Sequence, residues 1–192
     1  MPQKPFGSSR VPKLAARRFG PNEQTQPSDF APGDFILTHG QSFFSGLIRF
    51  GQRLRFWGSD RPFAWWNHAA IIVSPTGDLI EALGPGVLRT HISKYRPVEY
   101  HLVSISGMVS GNDRDEVVAF AEWCLDLQYA WMTIVSIALS LLTGAKFSFG
   151  FDGQAICSGL VARALERTNA IFNRTPSHIM PADLAKYFDV KP

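Results

Sequence analysis

From residue 32 onward, apolar runs alternate with turn-forming residues, a pattern that predicts a mixed α and β domain. "PGDFILTHG" (32–40) is a turn followed by a short apolar run and predicts a strand. "SGLIRFGQRLRFWG" (45–58) sets Leu47, Ile48, Leu54 and Phe56 among arginines and predicts a helix or helical turn interrupted at Gly51. "NHAAIIV" (67–73), the turn "SPTG" (74–77) and "DLIEALG" (78–84) predict a hairpin. Both of its strands are apolar on both faces, so the sheet they join should be covered on each side.

The pattern continues with "VEYHLVSI" (98–105), which predicts a further strand. After the capping signal "SGND", "RDEVVAFAEWCLDL" (114–127) repeats apolar residues at Val117, Val118, Ala121, Cys124 and Leu125. That is helical spacing, and it makes Cys124 a core residue. "WMTIVSIALSLLTG" (131–144) is the most apolar stretch, but a membrane span needs roughly 20 residues and this has far fewer. It reads as a buried core helix, or as an apolar element lining a groove or resting on a bilayer. A helix is expected from Ser158 to about Arg167, and another over "PADLAKYF" (181–188), with Pro181 suited to its first turn.

Composition narrows the picture to one α+β domain over residues 31–192. The 192 residues are 45% apolar and 12% aromatic, enough for one well-filled core. Residues 1–30 are rich in Pro, Gly, Ser and Gln, and carry Lys4, Arg10, Lys13, Arg17 and Arg18 against Glu23 and Asp29. They account for the whole formal charge of +3 and read as a disordered basic arm, a solvated tail unless it meets anionic lipid or nucleic acid. With the remainder neutral, no nucleic-acid partner is expected. The apolar stretch in "VPKLAARRFG" is too short for a secretory signal, so a cytoplasmic location is the default expectation. Nothing in the pattern sets an oligomeric state.

Two cysteines cannot form a disulfide framework, and the five histidines show no metal-ligand spacing, so neither a metal nor an organic cofactor is expected. Cys157, in "QAICSGLVARAL" (154–165), falls at or just before the first turn of the helix whose apolar face is Leu160, Val161, Ala164 and Leu165. A free thiol has a pKa near 8.5, and a helix N-terminus contributes only about 0.3–1 kcal/mol toward ionising it. A nucleophilic Cys157 therefore needs an imidazolium beside it. Without one it is a small buried hydrophobe.

"CSGLV" resembles the nucleophile motif of NlpC-type endopeptidases, papain-like cysteine hydrolases of bacterial cell walls, and "YAW" (129–131) resembles the aromatic pair that precedes it. In those enzymes the histidine follows the cysteine, but here His178 lies in the loop "TPSHIMP" with no strand behind it. The fitting histidine is upstream: His68 opens the strand "HAAIIV", and "LIEALG" follows. The order of a GD strand, HAAIIV, EA, CSGLV and P-A-D-L is similar to that of permuted papain-like amidases of the YaeF/YiiX type, and the likeness runs from about Gly33 to Phe188. It implies a circularly permuted papain-like fold, an antiparallel sheet against helices, and a thiol hydrolase acting through Cys157 as nucleophile and His68 as base. It also implies a polar residue at Glu81 to orient the imidazole.

Chain geometry permits that third role. If "SPTG" leaves Val73 opposite Asp78, His68 faces Leu83 and lies diagonal to Glu81 on the same side of the sheet. A slip of one residue would send Glu81 to the other side, and a structural carboxylate is the competing reading. His68 also has a competitor, a core histidine satisfied by backbone.

Around this pair, Tyr129 is expected either to hydrogen-bond at the site or to pack, and Asn67 to orient a ring or cap the strand. Ser158 reads as a helix N-terminal hydroxyl at the site. Trp66, with Trp57 and Trp65, is expected to make an aromatic surround, unless these rings are simply core. His39 can reach the same region, while His91 and His101 read as surface or edge residues. The implied substrates are peptide, cell-wall or acyl-conjugate amides; Arg49, Arg53 and Arg55 are candidates for walls facing an acidic peptide. A lipid acyl hydrolase or acyltransferase using the same site remains open, as does a non-catalytic binding module with peripheral membrane contact.

Overall fold

The computed structural model describes residues 15–39, 43–107, 109–125, 128–129, 154–155, 157–168 and 179–192. Their architecture is α+β. Six strands, β1 (Ala15–Phe19), β2 (Phe35–Thr38), β3 (His68–Ile72), β4 (Asp78–Leu83), β5 (Gly86–His91) and β6 (Tyr100–Ser104), form one antiparallel sheet in the order β1-β6-β2-β3-β4-β5. The helices are α1 (Phe43–Arg55), α2 (Gly111–Trp123), α3 (Cys157–Leu165) and α4 (Pro181–Tyr187). Strands β7 (Gln128–Tyr129) and β8 (Gln154–Ala155) pair in parallel beside β5. Among the described residues no helix is long and apolar enough to cross a membrane.

Side-chain alternation explains why both faces of the sheet are buried. On one face Phe35, Leu37, Ala69, Ile71, Ile80, Ala82 and Val103 pack against α2, α3 and α4. On the other, Ile36, Ala70, Ile72, Leu79 and Leu102 meet Phe19, Phe30, Ile92 and Tyr95, which come from turns and the edge strand. The two-faced cover expected for the hairpin is therefore present, and its turn has the expected register. Ile71 pairs with Ile80, and Val73 N donates to Asp78 O at 2.8 Å. Gly77 closes this turn at φ 95°, in the left-handed region that favours glycine; a Cβ there would meet Ile92 Cγ2 at 2.6 Å.

Helix ends follow the local chemistry. Ser110 and Asp113 form a capping box at α2, and Pro181 opens α4, where Asp183 accepts from Met180 N at 2.9 Å. Helix α1 is continuous through Gly51, contrary to the expected interruption. Gly51 is buried, and next to it Gln52 donates to Trp66 O at 2.7 Å and accepts from Ala182 N at 2.9 Å. The helix is thus fastened beside an interior glycine, where its own propensity is weak.

The expectation of a disordered arm to residue 30 needs correction. Ala15–Phe19 is the edge strand of the sheet, with Arg17 bound to Asp29 and Arg18 to Glu99, and Phe19 and Phe30 are core residues. Two alanines and two arginines before Phe19 make no apolar run or alternation, but pairing with β6 satisfies the backbone of this edge strand. Residues 1–14 and the expected helix over 131–144 lie outside the described residues, as does His178.

Candidate active site

Helix α3 begins at Cys157, whose side chain joins the core on the helical face of the sheet, and α3 packs against β3 and β4. His68 stands at the first position of β3, opposite Thr38 of β2. A strand end is where a ring can reach past the sheet toward the far face, and His68 hydrogen-bonds the Cys157 thiol. The backbone N–H groups of Ala69 and Ser158 donate to the same sulfur. Two chain regions some ninety residues apart in sequence therefore meet at one thiol–imidazole contact.

Glu81 completes the row. The β3–β4 register, continued from Ile71 and Ile80, sets Glu81 across from Ala70 and diagonal to His68. His68 Nε2 lies 2.6 Å from Glu81 Oε2, which leaves Nδ1 as the ring atom for the thiol. The Glu81 side chain is fully buried, an arrangement that costs free energy unless its lone pairs are filled. They are filled: Tyr95 Oη donates to Oε2, Thr90 Oγ1 to Oε1 at 2.5 Å, and Lys94 Nζ to Oε1 at 2.9 Å.

The electrostatics favour charged forms. Burial works against protonating His68, but the Cys157 thiolate and the Glu81 carboxylate outweigh it and raise the imidazole from 6.5 to about 9. Burial also works against ionising Cys157, and again loses. The His68 imidazolium and the N–H groups of Ala69 and Ser158 lower the thiol below its usual value. For Glu81, burial is overcome by the bonds from His68, Thr90 and Tyr95, which lower the carboxyl from 4.5 to about 2. Tyr95 is pushed well above the usual phenol range by burial and by the adjacent Glu81, so it remains a donor. All three shifts favour the row thiolate, imidazolium, carboxylate over its neutral counterpart.

The other expected site residues divide. Ser158 is turned inward, its Oγ donating to Ile179 O at 2.6 Å, so its side chain does not serve as a site hydroxyl. Trp66 is no aromatic wall either: it is fully buried, its indole N–H bonded to Val190 O at 2.9 Å and its ring tilted against His101. Closeness in sequence does not set direction: Ser158 is one helical step around α3 from Cys157, and Trp66 precedes β3. Trp57 and Trp65 face solvent. Asn67 is buried, with its N–H on Thr38 O at 3.2 Å. Tyr129 sits in β7 opposite Ala155 of β8, two residues before Cys157, and its side chain lies outside the described residues.

His39 binds Trp65 O through Nδ1 at 2.8 Å and accepts from Arg49 through Nε2 at 3.0 Å, so both ring nitrogens are engaged away from the thiol. His101, expected at the surface or an edge, is buried in β6 between β1 and β2. His91 is exposed. Cys124 is a core residue beneath α2, its thiol pushed up by burial.

Sequence reasoning missed Thr90, Lys94 and Tyr95. A signal for the first existed: Glu81 pairs with Leu88, so Thr90, two residues on, shares its face. The other two arrive on the 3-10 turn Ile92–Tyr95, which no periodicity announces. Comparison with protein-family models finds none that matches the chain, and comparison with curated proteins finds no match either.

Proposed function

We propose that this protein is a thiol hydrolase with a circularly permuted papain-like fold, cleaving an amide bond of a peptide or acyl conjugate through Cys157, His68 and Glu81. The observation that carries the reading is the unbroken row from a helix-start thiol to an imidazole to a buried carboxylate, with the ring held at both nitrogens. Chain order is immaterial to such a row, because reach and orientation define it.

In the reaction, the Cys157 thiolate attacks the carbonyl carbon and the C=O electron pair moves to oxygen. The backbone N–H of Cys157, first in its helix and without an intrahelical acceptor, is the natural donor to that oxygen. Collapse breaks the C–N bond, and the leaving nitrogen takes the proton from the His68 imidazolium. The neutral imidazole then removes a proton from water as the water attacks the thioester. Release of the acid restores the thiolate and the imidazolium. Glu81 keeps the ring oriented and favours its charged form throughout.

Mass spectrometry of the intact protein after exposure to a panel of peptide and N-acyl amides tests this. An acyl adduct on Cys157, with product release in the native chain and neither in Cys157→Ala, is the expected result; cleavage that persists in Cys157→Ala contradicts the reading. His68→Ala should slow acylation by about a hundredfold or more.

A further inference from the structure

Helix α1 buries one stripe and exposes another, and the exposed one is apolar. Gln52 and Phe56 are buried and Ile48 packs against the core, a spacing of four that marks the inner face. Opposite them stand Phe50, Leu54 and, just past the helix end, Trp57, at 48%, 36% and 71% exposure. Trp65, 47% exposed, joins them through His39, whose ring stacks on it at 4.2 Å and accepts from Arg49 of α1. A helix facing water on this side would carry polar residues there.

We propose that this outer face of α1, with the turn Gly58–Trp65, is a docking surface for an anionic lipid bilayer. Charge complementarity selects the occupant. Arg53 and Arg61 are exposed beside the aromatic residues and carry no ion pair among the described residues. The nearest acid in that turn, Asp60, is bound to Lys186 at 2.5 Å. Arginines flanking Trp, Phe and Leu suit a headgroup layer: the rings enter the acyl boundary while the guanidinium groups stay at phosphate level.

Trp57 is prepared for that medium. Its indole N–H already donates to Leu54 O at 2.8 Å, so burying the ring strands no donor and also covers a helix-end carbonyl. The surface is continuous in sequence with the candidate active site, since Trp65 is followed by Trp66, Asn67 and His68. Docking there would bring acyl-bearing conjugates to the end of the sheet where the thiol lies. The docking surface itself does not depend on the proposed catalysis.

Sedimentation of the full chain with phosphatidylcholine vesicles, with and without phosphatidylserine, tests the surface. The expected result is retention by the anionic vesicles only. Trp57→Ser and, separately, Phe50→Ser should each weaken it by about tenfold, and Arg53→Gln by about fivefold. All three side chains are exposed, so the variants should keep the native melting temperature. The proposal is overturned if the native chain stays in the supernatant, or binds both vesicle types equally. It is also overturned if retention survives all three variants, which would place binding in the basic arm, or if Trp57→Ser instead dissolves a soluble dimer. None of these readouts involves Cys157, so failure here leaves the proposed function standing, and the reverse.

Discussion

Thr90 donates its hydroxyl to Glu81 Oε1 at 2.5 Å, from the neighbouring strand and on the side of the carboxylate away from His68. Tyr95 secures the other oxygen, the one that faces the imidazole. The carboxylate is therefore clamped before the histidine uses it. A hydrogen bond to a charged group contributes about 1.5–3 kcal/mol. Thr90→Val and Tyr95→Phe should each lower melting temperature and reduce kcat while leaving KM unchanged. Steady-state kinetics on whichever amide the chain cleaves makes the check.

Removing the charge itself should cost more in rate. Glu81→Gln keeps the shape but replaces an acceptor with an amide that cannot serve His68, Tyr95, Thr90 and Lys94 together. A loss of about 1.5–3 kcal/mol in the imidazolium form corresponds to roughly a ten- to hundredfold fall in kcat/KM. His68 in that variant should also titrate lower, which separates an electrostatic role from simple unfolding.

Activity should follow a bell in pH. The acid limb reports ionisation of the thiol and lies below its ordinary value of 9; the basic limb reports loss of the His68 proton at about 9. Stability carries the same signs. The His68 contribution is complete below pH 6.5 and is lost as pH rises through about 9, whereas that of Cys157 is complete above 9 and is lost as pH falls through its lowered value. The two contributions change with pH in opposite directions, so each partly offsets the other. Glu81 contributes above pH 4.5, and that share disappears as pH falls toward about 2. Melting temperature against pH, compared with His68→Asn and Glu81→Gln, reads out each limb.

Gly77 sets the hairpin register on which the His68–Glu81 diagonal depends. Gly77→Ala must adopt φ near 95° and bring a Cβ to 2.6 Å from Ile92. The left-handed conformation alone costs a residue with a side chain about 1–2 kcal/mol, so denaturant unfolding should show a loss of at least that size. Retained stability would mean the turn is rebuilt and the register argument weakened.

Much of the sheet was legible in the residues because both faces of β2, β3 and β4 are buried, and apolar runs bounded by turns report that condition directly. The "SPTG" turn then fixed register, and register placed Glu81 beside His68. What escaped notice was held by polar contacts between distant segments. Strand β1 is an edge exposed everywhere but at Phe19, and it is kept in place by pairing with β6 and by the Arg17–Asp29 and Arg18–Glu99 ion pairs. Lys94 and Tyr95 matter only because a turn folds them over β4. Trp66 and Ser158 were misplaced for the converse reason: closeness in sequence to His68 and Cys157 says nothing about which way a neighbouring side chain points.

The thiol–imidazole contact is tested most directly by following the His68 ring through a pH titration by NMR, in the native chain and in Cys157→Ala. The native ring should titrate near 9, and removing the sulfur should bring it down markedly while Glu81 still holds Nε2. A native His68 that titrates at or below 6.5, or one whose titration is indifferent to Cys157→Ala, would contradict the account.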